Sequence, residues 1–330
     1  MRKKLASLGF GLAIGVTIAI TPVWAQQVLR LAHNAAPGNP KSEASLKFAE
    51  LVAQKTNGRI KVEVGGNAQY GEDVEALTSM RLGTLAFSAN SQGPLAGVVP
   101  QFAVLGLPFL FQELPQAWKV VDGEVGKQLA KYVEEKGLVL LAMWDNGIRH
   151  VSNNVRPITK PEDLAGIKLR TPPDPITVDI FQALGANPTP MAFSELYIAL
   201  QQGVVDGQEN PLMNIHSSKL YEVQKYISLT GHKYESTPLL ASKIVFSALS
   251  KEDQQAILEA AAEAGKVNRE LSLKSDNELR GKMEAAGVKF NEVDPAPFVE
   301  RTKAVYDKWR AQFPELVDLV QKEAAAAAKK

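Results

Sequence analysis

Residues 193–211 read FSELYIALQQGVVDGQENP. Phe193, Leu196, Tyr197 and Leu200 recur at i, i+3, i+4 and i+7, which makes one buried face of a helix. Gly203 and Gly207 then bracket a very short apolar piece, read as a strand over GVVDG. Asn210 precedes Pro211 and is therefore held extended, because the proline ring crowds the residue before it. Its amide projects from a strand end, and Gln208, Glu209 and Asn210 are expected at a domain edge.

The flanks decide what surrounds this helix and strand. Just upstream, DLAGIKLRTP is strand-like, DPITVDIFQALG is helical with a glycine C-cap, and NPTPM is a turn. The N-terminal part alternates in the same way. VLRLAHNAA is a buried strand, Ser42 to Thr56 an amphipathic helix ended by Gly58, and RIKVEVGG a strand. GEDVEALTSMRLG is a helix closed by Gly83, and TLAFSAN is a strand again. This β-α-β-α-β order favours a mostly parallel sheet with helices on its faces, and such sheets bind ligands at the carboxyl ends of their strands.

Between the two units, the Pro-punctuated linker LGLPFLFQELPQAWKVV leads into a helix around Gly123 to Lys136, and GLVLLAMWDNGIRHVSN is a strand that continues past an Asn-Gly pair. YISLTGHKYESTPLLASKIVFSALS reads as two strands crossing back towards the first unit. Lys251 to Ala286 is helical, rich in Ala, Glu and Leu. Roughly 30 helical residues extend about 45 Å, more than one domain can bury, so this helix is expected to lie across two domains as a spine. The Ala-rich tail KEAAAAAKK is expected to fray.

Arg2, Lys3 and Lys4 precede an apolar run from Leu5 to Ile20 and then Val23-Trp24-Ala25, the pattern of a secretory leader. Cleavage is placed after Ala25; the run is short and broken by Gly9, Gly11 and Gly15, which disfavours an anchor. The remaining 305 residues suffice for two domains. The formal charge of +1 becomes −2 without the three leader cations, which gives no electrostatic case for nucleic acid or an anionic membrane. Cysteine is absent, so neither disulfides nor thiolate metal sites exist, and an exported chain of this kind fits the bacterial periplasm.

Enzyme machinery is not evident. There is no GxSxG elbow, no P-loop, and no GxGxxG after a strand of the mature chain. His33, His150, His216 and His232 lack metal-ligand spacing, and Glu134-Glu135 fit a solvated helix face. No cofactor or metal is called for. What stands out is the placing of arginines and amides at strand ends: Asn34, Arg149, Arg170 and Asn210. Arg170 stands before Thr171-Pro172-Pro173, a stiff backbone, and a rigid guanidinium fork suits a carboxylate. That carboxylate is either a structural one or one brought by a ligand; the residues alone leave both open.

GIKLRTP, LGANPTPMAFSELYIALQQGVVDGQENP and YEVQKY strongly resemble the solute-binding proteins of TRAP (tripartite ATP-independent periplasmic) transporters, in the branch named for C4-dicarboxylate and sialic acid uptake, across essentially the whole mature chain. The resemblance implies an α/β protein with the two-domain periplasmic-binding-protein fold, hinge strands and a long helix spanning both domains. With it goes a division into residues 26–147 and 236–275 for the first domain and 148–235 and 276–330 for the second. It implies a periplasmic receptor, a monomer, that closes over an organic anion and delivers it to TRAP membrane subunits. Arg170 inherits the family's carboxylate-binding role, Arg149 the second arginine, Asn210 the amide, Phe193 the packing aromatic and Asn34 the contact after the first strand.

One position departs from the sialate-binding members, which carry an acidic residue after the F strand of the first domain. Here the run is AFSANSQGPL, with Ser91 at that place and Asn90 and Gln92 beside it. Uncharged, hydroxyl-rich acids are favoured. Asn34, Asn90, Gln92 and Asn210, with Asp174 and Glu235 as hydroxyl acceptors, supply more polar contacts than a bare four-carbon diacid needs. A sugar acid, uronate or aldonate, is the expected ligand; a C4-dicarboxylate held by Arg149 and Arg170 is the next choice. A sugar-acid enzyme using Glu209 or His150 as base is the remote alternative, lacking any visible base–nucleophile–orienter set.

Overall fold

A computed structural model describes residues 26–328, with the backbone alone for 275–277; the expected leader, residues 1–25, lies outside the described residues. The elements run β1 (Gln27–Ala32), α1 (Pro40–Lys55), β2 (Ile60–Gly65), α2 (Asp73–Arg81), β3 (Phe87–Ala89), α3 (Gln92–Ala96), α4 (Leu114–Val121), α5 (Glu124–Glu135) and β4 (Leu138–Asn153). They continue with β5 (Lys168–Thr171), α6 (Pro175–Ala183), β6 (Asn187–Pro190), α7 (Leu196–Gln201), β7 (Gly207–Asn210), α8 (Leu212–Ser217), β8 (Tyr226–Ser242) and α9 (Lys243–Ser247). The chain closes with α10 (Lys251–Ala285), β9 (Lys289–Glu292), α11 (Ala296–Arg301), α12 (Lys303–Gln312) and α13 (Pro314–Ala328).

The nine strands of the described residues share one sheet, ordered β2-β1-β3-β8-β4-β7-β5-β6, with β9 beside β8. The parallel trio β2-β1-β3 forms one half and the parallel trio β7-β5-β6 the other. The long antiparallel strands β4 and β8 run through both halves, and their ladder changes register at three places, between Leu140 and Ala142, Asp145 and Gly147, and Arg149 and Val151. Bulges of this kind bend a ladder and sharpen its twist. The middle one contains Gly147 at φ 126°, a backbone that side-chain-bearing residues rarely adopt.

α10 is the expected spine. Its N-terminal half buries Ile257, Ala260, Ala261 and Ala264 with α1 and β1, while its C-terminal Met283 joins the core under α7 and α8. Midway, Gly265 lets the helix approach β4 so closely that an added Cβ would stand 2.9 Å from the Trp144 ring. The Trp144 indole donates to the Ala261 carbonyl at 3.0 Å, and the Asn268 side chain accepts from the Asp145 N–H at 2.6 Å. The spine therefore grips β4 at the register shift.

Six readings change. NPTP is strand β6, pairing with β5, because extended prolines at a sheet edge need no ladder donor. The segment from Tyr226 is one continuous strand rather than two, since its partner β4 is equally long. The short strand begins at Gly207 instead of Gly203: Val204 and Val205 donate back to the Ala199 carbonyl and finish the helix C-terminus. β7 also lies between β4 and β5, inside the sheet, with Gln208, Glu209 and Asn210 all buried. Helix α4 lies within the expected linker, and α13 packs against α4 and α5 of the first half although residues 276–330 were expected with the second. Among the described residues no helix is long and apolar enough to cross a membrane.

Candidate ligand-binding site

A cavity of about 570 Å³ lies between the two halves at the strand ends. Of the expected residues it is lined by Asn34, Ser91, Arg149, Arg170, Phe193, Asn210 and Glu235. Asn90, Gln92 and Asp174 do not line it. The Asn90 amide donates to the Asp73 carbonyl at 2.9 Å, the Gln92 side-chain oxygen accepts from Ser236 N and Oγ, and the Asp174 carboxylate takes the Lys233 ammonium. These three side chains face the interior behind the wall because buried partners there need their polar groups.

The two arginines differ sharply. Arg149, on β4, donates Nε to Glu209 Oε2 and Nη1 to Glu235 Oε2, both at 2.5 Å, and Nη2 to the Glu209 carbonyl at 2.6 Å and to Asn210 Oδ1 at 3.2 Å. Burial alone would lower its pKa, but Glu209 and Glu235 outweigh burial and raise it. Burial likewise works against Glu209, yet Arg149 and His232 hold that carboxyl down at about 2. The cluster extends through Glu235 and Lys233 to Asp174. His150 is pushed down to about 3 by burial and by His232.

Arg170, at the end of β5, is 2% exposed and has no carboxylate within ion-pair distance among the described residues. Nε and Nη2 both donate to the Met191 carbonyl, at 3.0 and 2.7 Å, and the guanidinium lies over the Phe193 ring at 5.7 Å. Burial lowers its pKa to about 10. The fork is thus fixed in position by β5, by Pro172-Pro173 and by Phe193, with donor capacity left over at the cavity.

The opposite wall comes from the first half. Lys41, in the first turn of α1, is 4% exposed and donates to Ser91 Oγ at 3.0 Å and Asn34 Oδ1 at 3.4 Å. Asp73 Oδ2 accepts from Asn34 at 2.9 Å and from Ser91 N at 3.3 Å, and burial raises its pKa. Glu72 Oε1 reaches across the cleft to accept from Ser194 N at 2.7 Å, and the Asn39 amide reaches across to Asn214 Oδ1 at 2.8 Å. Lys41, Glu72, Asp73, Asn39 and Asn214 were not foreseen. One signal was available for Lys41: a cation in the first helical turn opposes the helix dipole, and such local misfits mark functional positions. Glu72 and Asp73 sit at a capping position where acids are ordinary, so nothing distinguished them.

A closed cleft of this build, on two α/β halves joined by long hinge strands, defines a periplasmic-type solute receptor. Residues 31–312 match the model of bacterial extracellular solute-binding protein, family 7, and the chain belongs to that family, the solute-binding proteins of TRAP transporters. It is 50% identical over 312 residues to the uncharacterized protein y4mM of Sinorhizobium fredii, a match covering 94% of this chain and 58% of that protein. Two solved structures are similar along nearly their whole lengths. The sugar acid binding protein of Advenella mimigardefordensis in complex with galactonate is 35% identical, with TM-score 0.89, 92% of this chain and 99% of that one covered. A TRAP periplasmic solute-binding protein of Sulfurospirillum deleyianum with bound succinate is 34% identical, with TM-score 0.86, 91% and 99% covered. The family is one of periplasmic receptors for small organic acids.

Proposed function

We propose that this protein captures a sugar acid, an aldonate or uronate, in the periplasm and delivers it unchanged to TRAP membrane subunits. The observation that carries the reading is Arg170, a buried and positioned guanidinium with no carboxylate of its own among the described residues. Burying a charge without a counterion is costly, so such a site stores affinity for an anion. A ligand carboxylate bonded to Arg170 and stacked near Phe193 takes that place, while Asn210, Asn34 and Ser91 serve hydroxyls. Arg149 supports the site by fixing Glu209, Glu235 and Asn210.

The ligand draws the halves together because only the closed form offers both walls, and exclusion of water strengthens the Arg170 contact. The leader at residues 1–25 exports the chain, which acts as a monomer of two domains hinged at β4 and β8. A micromolar dissociation constant needs about −8.2 kcal/mol, within reach of one charge-assisted pair and several hydrogen bonds after ordering costs. The galactonate-bound and succinate-bound relatives stand at almost equal identity, so identity does not choose the ligand; the number of polar groups around the cavity favours the hydroxylated acid.

A thermal-shift screen of purified protein, refolded to strip any carried ligand, tests this against aldonates, uronates, C4-dicarboxylates and sialate. A ligand at about 1,000 times its dissociation constant adds roughly 4.1 kcal/mol, several degrees for a protein of this size. Shifts with sugar acids, which are recovered chemically unchanged, are expected. A shift confined to succinate or malate would move the assignment to dicarboxylates, and turnover of the bound acid would make the protein an enzyme.

A further inference from the structure

The wall facing Arg170 has an unusual charge pattern. Four of its side chains are ionisable: Lys41 from α1, Glu72 at the N-cap of α2, and Asp73 and Glu75 in its first turn, of which Glu75 turns back to accept from the Glu72 N–H at 3.0 Å. Lys41 and Asp73 are each 4% exposed. Lys41 lies within ion-pair distance of no carboxylate among the described residues and spends two of its three donors on Ser91 and Asn34. Glu72 and Asp73 share the Asn34 amide, at 3.3 and 2.9 Å. On the Arg170 side, by contrast, the carboxylates Glu209 and Glu235 are consumed by Arg149. The cavity is therefore polar at both ends, with the unpaired guanidinium at one and, at the other, Glu72 and Asp73 beside a single ammonium, with Glu75 adding a third carboxylate.

We infer that Glu72, Asp73 and Lys41 read the hydroxyl end of the ligand and exclude a second carboxylate there, so that the receptor takes polyhydroxy monocarboxylates and rejects diacids of the same carbon skeleton. This deepens the reading of Arg170 as the carboxylate anchor and rests on it. Hydroxyl groups donate to carboxylates and accept from an ammonium, so one polyol end satisfies all three side chains. A carboxylate only accepts, and it would stand against two like charges with one cation to offset them. Burial already raises the Asp73 carboxyl, and a further anion beside it would push it the same way. Glu72 adds a link to closure: the oxygen that holds Ser194 N across the cleft belongs to the carboxylate that meets the hydroxyls, so a ligand that repels it also loosens the latch.

Titration calorimetry of the full mature chain decides this, using galactonate against galactarate, glucuronate against glucarate, and succinate. The monocarboxylate of the better pair is expected to bind at least about 100-fold more tightly than its diacid. In Glu72→Gln and Asp73→Asn the gap is expected to narrow to about 10-fold, chiefly by improved diacid binding, a gain that damage to the fold cannot produce. Equal binding of acid and diacid by the wild type, or an unchanged gap in both variants, overturns the inference. Binding of succinate or a diacid in preference to every monocarboxylate overturns it while leaving Arg170 as anchor. Binding of none of these acids removes both readings.

Discussion

Replacing Arg170 by Met should abolish ligand binding and, at the same time, stabilise the ligand-free protein. Arg170 is 2% exposed, and burial takes its pKa from 12.5 to about 10, a shift that costs at most about 3 kcal/mol while the group stays charged. Because the folded value lies below the unfolded one, the penalty is full at pH 7 and is relieved only as pH rises through about 10. Met removes the penalty but leaves the Met191 carbonyl without its two donors, a loss of about 1–2 kcal/mol. The balance is a gain of about 1–2 kcal/mol, or roughly 2–5 °C in melting temperature for a chain of this length. The ligand carboxylate meanwhile loses its partner in a desolvated site, about 3–5 kcal/mol, a weakening of roughly 200- to 5,000-fold. Arg170→Lys keeps the charge but not the planar fork and should fall between. Scanning calorimetry without ligand and titration calorimetry with galactonate measure both. An Arg170→Met variant that melts lower and binds undiminished would refute the reasoning, because the guanidinium would then be a structural group.

Asp145→Asn should raise stability at pH 8 and change little at pH 4: burial raises Asp145 to about 6, so its folded form holds a proton more firmly than the unfolded chain, and stability is lost as pH rises through that value. Melting curves at the two pH values check this; an equal shift at both would contradict it. Gly265→Val should destabilise by about 1–3 kcal/mol, because its side chain meets the Trp144 ring where α10 grips β4, and urea titration reads the loss. Asn214→Ala removes the cross-cleft bond from Asn39 and should weaken sugar-acid binding by about 5- to 10-fold through faster release, visible in stopped-flow traces. Unchanged release would mean that the Asn39–Asn214 contact does not hold the cleft shut.

Periodicity located α1, α2, α6 and α10 to within a residue or two, since each carries a complete apolar stripe and a proline or glycine at one end. It failed where pairing rather than local sequence sets the outcome. NPTP became a strand because β5 offered it a partner, and the long unbroken β8 follows from the equal length of β4. The C-terminal helices α11 and α12 and strand β9 were not read at all, because their apolar positions are few and find cover only after the sheet is built. In the cavity, Arg170, Asn210, Asn34 and Arg149 stand where amides and arginines at strand ends were expected, and Phe193 where the family resemblance put the packing aromatic. Lys41, Glu72 and Asp73 reach the cavity from helix N-termini whose direction is fixed only when the halves meet. Asn90, Gln92 and Asp174 sit next to lining residues in sequence, but Asn90 and Gln92 flank Ser91 between β3 and α3, Asp174 caps α6, and buried partners claim all three.

The continuous β4–β8 ladder also bears on how the chain comes apart. Each half owns three parallel strands, yet neither half owns the pair on which they are mounted, and one core runs from Val104 and Leu105 to Ile176 and Ile180 without interruption. Melting either trio exposes the flank of the shared pair and strips that common core, so the two lobes hold each other's native state in place. Their heat uptake is expected to merge into one cooperative peak, with any opening of the cleft a bending of the shared pair and not the unfolding of one lobe at a time.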